Sequence, residues 1–189
     1  MARPKSGNKR AAILSAATKA IAEEGLGAST SKIAELAGIA EGTLFTYFPT
    51  KDLLLNQLYL ELKREVYELI ALGFPGKAAA KLQARHFWNR YLDWGMSFPA
   101  KRHASAQLAV SDRITDKIRL QSEQDSAGCY DVLGARLACG SLRDSSPAFV
   151  AAVMAALAET TMTFMTKEPA RADTFRSAGF DAFWRAIGK

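Results

Sequence analysis

Histidine and cysteine are scarce in this sequence, with two of each in 189 residues. Two histidines are too few for most histidine-rich metal sites. There is no HExxH, no glycine-rich phosphate loop, no Ser/His/Asp or Cys/His arrangement, and no cysteine pair at metal-ligand spacing. An enzyme is therefore not expected, and neither is a metal or other cofactor. Cys129 and Cys139 stand ten residues apart, about 15 Å along a continuous helix, which is beyond disulfide reach. Reduced thiols and a cytoplasmic location are expected. The longest uninterrupted apolar run, Ala148 to Ala158, has eleven residues and is mostly alanine, short of the roughly 20 that cross a bilayer. No membrane span or membrane partner is expected from it. Asn8, Lys9, Arg10, Ser15, Thr18 and Lys19 interrupt the N-terminal stretch where an export signal would need an apolar segment, so secretion is not expected.

What is present is ordinary for a folded domain. Hydrophobic residues make up 49% and charged residues 23%, and the length suits one domain or a small domain fused to a larger one. The net charge of +6 is unevenly placed. Arg3, Lys5, Lys9, Arg10 and Lys19 fall in the first twenty residues with no acid before Glu23 and Glu24. A basic tail leading into a helix is a candidate phosphate contact, and equally a solvated tail.

Apolar residues recur three and four apart, and no useful length alternates with period two, so the chain reads as all-α with about nine helices. The first should run from Ser6, bury Ile13, Leu14, Ala17 and Ile21, and stop at Gly25 in a left-handed cap. Ser29-Thr30-Ser31 precedes a two-turn helix ended by Gly38. A second short helix runs from Ala40 or Glu41 to Phe48, ahead of Pro49. Thr50 should cap a long helix striped by Leu54, Leu58, Leu62, Val66, Leu69 and Ile70, ending near Gly73. Beyond Pro75-Gly76, helices are expected over 77–98, 99–110 and 112–138. A further helix, capped by Ser145 or Ser146, has Pro147 at its first position and reaches Lys167. The last is opened by Pro169 and ends near Ile187.

Two short helices around a glycine turn form a helix-turn-helix pattern. Ala34 must be small where the helices cross, Gly38 supplies the left-handed turn, and Ile33, Ala37, Ile39 and Leu44 face inward. The second helix would present Glu41, Gly42, Thr43, Thr46 and Tyr47 outward, on a rod narrow enough for a major groove about 12 Å wide. Leu44, Phe45 and Phe48 are expected in the core.

The run Ile13-Leu14-Ser15-Ala16-Ala17, then Gly25, then Ile33 through Gly38 and Glu41-Gly42-Thr43-Leu44-Phe45-Thr46-Tyr47-Phe48-Pro49-Thr50-Lys51-Asp52-Leu53-Leu54 resembles the N-terminal region of the TetR family of bacterial transcriptional regulators. The likeness spans about Arg10 to Leu55. It implies an all-α homodimer with a three-helix DNA-binding domain at 1-52 and a larger ligand-binding and dimerisation domain at 53-189. It also implies that Thr43, Tyr47 and Lys51 hold the DNA backbone, that Thr30 adds a phosphate contact, and that Ser31, Glu41 and Gly42 face bases. The sequence departs from the family pattern in three places. Phe45 replaces a usual tyrosine, Ala40 replaces a polar cap, and the turn between Gly25 and Ile33 is one residue short.

Downstream, Phe87, Tyr91, Trp94 and Phe98 form an aromatic stripe with Trp88 and Leu92 beside it. With His86, His103, Gln107 and Tyr130 they suit either a core or a mostly apolar ligand pocket with a few orienting groups. Ala151, Met154, Ala155, Ala158, Met162, Phe175 and Phe183 suit a helical dimer interface or, in part, internal core. The combined reading is a ligand-responsive transcriptional repressor that binds a palindromic operator as a homodimer and is released by a small apolar effector. The alternatives are an all-α enzyme or small-molecule-binding protein using the His86 and His103 region, and a DNA-binding regulator without ligand response.

Overall fold

The computed structural model describes residues 6–125, 142, 144, 145 and 147–187. Arg3, Lys5, Cys129, Tyr130, Cys139 and Ser146 lie outside the described residues, as does the end of the helix expected to reach Ala138. Among the described residues there are nine α-helices and no strand. They are α1 (Ser6–Glu24), α2 (Thr30–Leu36), α3 (Glu41–Tyr47), α4 (Lys51–Ala71), α5 (Ala80–Ser97), α6 (Pro99–Ala109), α7 (Asp116–Asp125), α8 (Pro147–Lys167) and α9 (Ala172–Ile187).

Local chemistry sets most of these boundaries. Gly25, Gly38 and Gly73 all have positive φ, the left-handed conformation that ends a helix and that glycine adopts without strain. The short stretch after Gly25 is filled by a 3-10 turn, Gly25–Gly27. The Ser29 side chain accepts from the Lys32 backbone at 3.1 Å, and Thr50 accepts from Leu53 at 3.1 Å, each satisfying an amide that the helix leaves free. Pro169 opens a 3-10 turn ahead of α9 and not α9 itself. The helix expected from Asp112 begins at Asp116 instead. Residues 110–115 form turns in which Ser111 accepts from the Arg113 backbone and Thr115 caps Ile118.

The chain forms two compact units, Met1–Arg64 with Phe98–Ser122, and Glu65–Ser97 with Glu123–Lys189. These cut across the expected 1-52 and 53-189 division, because α6 and α7 pack with the N-terminal helices and α4 contributes to both units. In the first unit, Ile13, Ala17, Ile21, Ile33, Leu44, Leu54, Leu55 and Leu58 are buried together with Ala104 and Leu108 of α6. The Gln107 amide donates to the Ile21 carbonyl at 3.1 Å. Asn56 is buried inside the leucine stripe of α4. Its amide donates to the Arg113 carbonyl at 2.8 Å, and its Oδ1 accepts from the Thr115 backbone at 3.1 Å, so one side chain ties the turn after α6 to α4.

In the second unit Trp88 is the packing centre. It is fully buried, stacks on Phe183 with ring centroids 5.8 Å apart, and donates its indole N–H to the Arg176 carbonyl at 3.1 Å. α5 meets α8 and α9 here because residue 179 is glycine. A Cβ at that position would lie 2.8 Å from the Trp88 ring and closer still to the Thr161 hydroxyl. Around this centre, Arg176 pairs with Asp93 at 2.8 Å. Trp94 donates to Glu65 at 3.0 Å.

α8 includes one stretch, Phe149–Lys167, long and apolar enough by length and composition to cross a membrane, with 33% of its most apolar part buried. The uninterrupted run alone does not reveal this, because Met162, Phe164 and Met165 extend the apolar character past Glu159. Gly179→Ala should lower unfolding stability by about 1 to 3 kcal/mol through overpacking against Trp88, read by urea denaturation. An unchanged midpoint would show that α5, α8 and α9 can part at no cost.

Candidate nucleic-acid interface

The candidate surface is built on the turn between α2 and α3. Gly38, at φ 67°, donates its backbone N–H to Glu35 at 3.0 Å, and Ile39 donates to Ala34 at 3.0 Å. This paired capping arrangement closes α2 and fixes the direction in which the chain leaves it. Open space surrounds the position of a Gly38 Cβ, so glycine is required there by the backbone and not by crowding. Ile33 and Leu44 then pack in the core with Ala34. Ala37 and Ile39 are half-buried.

This packing turns the remainder of α3 outward. Glu41, Gly42 and Thr46 are exposed, and Thr43 and Tyr47 are half-exposed. Thr43 shares a surface groove of about 450 Å³ with Asn8, Lys9 and Ala12 of α1 and with residues 37–40. Lys51, at the start of α4, is half-buried and donates to the Leu26 carbonyl at 2.8 Å, just beyond the C-terminal end of α1. Partial burial, and then the neighbouring Arg113 guanidinium, hold its pKa below the usual lysine value against the opposing pull of Asp52. An anion placed against Lys51 would offset that repulsion.

Glu41 does not stand free. Its Oε1 accepts from the Thr30 hydroxyl at 2.6 Å, a clasp between the start of α2 and the start of α3. Ala40 provides no side-chain cap, so the Glu41 carboxylate is the acidic group that favours this helix N-terminus. Ser31 is exposed and its hydroxyl lies 2.9 Å from that of Ser29. Arg10 donates to Gln57 at 2.8 Å and lies over the Phe48 ring, so this basic residue braces α1 against α4. The expectation for Phe45 is corrected. Leu44 and Phe48 are buried, but Phe45 is 41% exposed, because one residue along α3 turns it about 100° away from Leu44.

The residues expected to line a ligand pocket are divided between the two units, apart from Tyr130, which lies outside the described residues. Phe87, Trp88 and Trp94 are buried in the second unit, where Tyr91 is half-buried, 6.0 Å from the Trp94 ring. Phe98, His103 and Gln107 belong to the first unit. Phe98 is exposed just ahead of α6, His103 is exposed beside Arg102, and Gln107 is bonded to α1. His86 donates to the Ile70 carbonyl at 2.8 Å and meets the edge of Phe74.

Of the expected interface residues, Met154, Ala158, Met162 and Phe183 are buried within the chain itself and serve as its own core. Ala151, Ala155 and Phe175 are half-buried. Sequence pattern alone missed Asn56 and Gly179, although each had a signal: a polar residue inside a leucine stripe, and a glycine in the middle of an apolar helix.

Residues 13–58 match the family model described as bacterial regulatory proteins, tetR family. Over most of its length the chain is similar to solved structures. A proposed tetR family transcription regulator from Shewanella sp. PV-4 is 28% identical with a TM-score of 0.81, covering 96% of this chain and 98% of that one. FadR from Bacillus subtilis, solved in complex with stearoyl-CoA, is 20% identical with a TM-score of 0.66, covering 94% and 98%. A stretch of 70 residues is 40% identical to the fatty acid metabolism regulator protein of Bacillus subtilis (strain 168). It spans 36% of either chain, about a third of that relative's length. Its N-terminal region thus matches the TetR family model, and its fold is similar to that of a solved TetR-family regulator over nearly the whole chain.

The Thr30–Glu41 clasp is open to a double-mutant cycle. Thr30→Val and Glu41→Gln should each cost about 1 kcal/mol in urea denaturation, and the pair no more than the larger single effect. Additive losses would show that the two side chains act independently.

Proposed function

We propose that this protein is a ligand-responsive transcriptional repressor that binds a double-stranded, palindromic DNA operator as a homodimer in the cytoplasm and is released by a small, mostly apolar effector. The observation that carries the reading is the outward presentation of α3 by the Gly38 turn, inside the segment that matches the family. Thr43, Tyr47 and Lys51 have partly exposed polar ends suited to phosphate oxygens, and such contacts fix register without reading sequence. Thr30 would add a phosphate contact by turning its hydroxyl proton from Glu41 to a phosphate oxygen. The domain division at 1-52 and 53-189 stands as a functional one, with DNA contacts in the first part and effector and dimer contacts in the second.

Homodimerisation is supported by surface that the chain leaves open. Phe149 and Phe164 of α8 are 52% and 42% exposed, and Ala152, Ala156, Ala178 and Ala182 are exposed on α8 and α9. Small side chains allow close helix approach, and the two phenylalanines supply apolar knobs. A second copy covering this face would also account for the apolar, largely unburied character of α8. A two-fold axis suits half-sites about 34 to 36 Å apart, or a multiple of that spacing.

For the effector, support comes from the aromatic residues of α5 and from the fold shared with FadR. Release requires that the effector bind the two conformations of the dimer with different affinity. The closed packing at Trp88 favours a second reading, a DNA-binding regulator without ligand response. Measuring operator affinity across a panel that includes long-chain acyl-CoA separates the two.

Gel shift and fluorescence anisotropy on the DNA upstream of the gene should give nanomolar-range binding that falls steeply with salt. No shift at low salt would count decisively against the repressor reading. Lys51→Met should weaken binding to all duplexes about equally and reduce the salt slope by about one. A sequence-dependent loss would remove Lys51 from the phosphate contacts. Phe149→Glu with Phe164→Glu should convert a dimer to a monomer in sedimentation. A dimer that persists would place the interface elsewhere.

A further inference from the structure

The outward face of α3 has few free polar groups for a base edge. Glu41 accepts from Thr30 at 2.6 Å. The Thr46 hydroxyl donates to the Gly42 carbonyl at 3.0 Å, which leaves its methyl as the distinctive group on that side chain. Gly42 has no side chain, and open space surrounds the position of its Cβ. Between these positions, one helical turn after Glu41 and three residues after Gly42, stands Phe45, 41% exposed. Among the described residues no ring or cation is stacked on it. A phenyl ring neither donates nor accepts a conventional hydrogen bond, so phosphate oxygens and the amino and carbonyl edges of the bases offer it no such partner. In the major groove the distinctive apolar feature of a base pair is the C5 methyl of thymine. The bare backbone at Gly42 allows the helix to approach closely enough for that contact.

We propose that Phe45 is a specificity-determining residue that packs its ring against a thymine methyl in each half-site, an assignment that rests on the operator-binding reading above. Sequence preference at that base pair then comes from apolar burial, and Glu41 acts as a clasp for the start of α3.

The test uses the full chain and a duplex selected by it from a random DNA pool. Each thymine in turn is replaced by deoxyuridine, which removes only the methyl group, and affinity is read by anisotropy for the wild type, Phe45→Ala and Phe45→Leu. One thymine per half-site should be sensitive, with about a fourfold loss for the wild type, the effect of one buried methyl-sized group. The same replacement should leave Phe45→Ala unchanged and affect Phe45→Leu to an intermediate degree. Matched thermal unfolding of the three proteins confirms that the comparison is between folded chains. The assignment is overturned if no thymine is sensitive, or if the penalty persists in Phe45→Ala. Selection that enriches no sequence overturns the operator reading itself, which is a separate and recognisable outcome.

Discussion

The geometry of the N-terminal unit depends on one backbone conformation, the positive φ of Gly38. Its N–H and that of Ile39 close the end of α2, and the chain leaves in the one direction that buries Leu44 beneath Ile33 and Ala34. With a side chain at 38, the left-handed conformation costs roughly 1 kcal/mol or more. Relaxing it would change the direction in which the chain leaves α2 and disturb the two hydrogen bonds that close that helix. The positions proposed to face phosphates and bases are therefore defined less by their own chemistry than by the torsion angle of a residue with no side chain.

Around that turn the structure uses polar groups as braces. Lys51 reaches back to the Leu26 carbonyl, Glu41 to Thr30, Arg10 to Gln57, and Asn56 to the turn after α6. Each links segments far apart in sequence with charge-assisted or buried hydrogen bonds, which are directional where apolar packing is not. Lys51 illustrates a double use. The bond to Leu26 leaves the ammonium two further donors, and of the two causes that lower its pKa, burial and then Arg113 repulsion, the second is of the kind that an approaching anion relieves.

Helix boundaries in the N-terminal unit were legible because each carries local chemistry: Ser29 and Thr50 as caps, Gly25 and Gly38 as stops, Pro49 after α3. The outward set on α3 followed from period and from Leu44. Less legible was anything decided by which helix lies opposite. Phe45 looked like core because aromatic residues usually are, yet it is 41% exposed on α3. Arg10 and Glu41 looked like DNA contacts, and their partners, Gln57 and Thr30, are distant in sequence. The alanines and methionines of α8 read alike as core or interface, because composition does not say which side of a helix its own chain covers. Phe98 continues the aromatic stripe in sequence, and His103 and Gln107 follow it, but the chain passes from one compact unit to the other at Ser97 and Phe98, a boundary that helical period does not mark.

The tryptophans are unevenly distributed. All three in the chain, Trp88, Trp94 and Trp184, belong to the second compact unit, and the first two are buried and hydrogen-bonded. Indole emission is thus a built-in optical probe of the helices around Gly179, while the N-terminal unit contributes no indole signal. A change in emission wavelength on adding a small molecule would report on the surroundings of those rings without any label having to be attached.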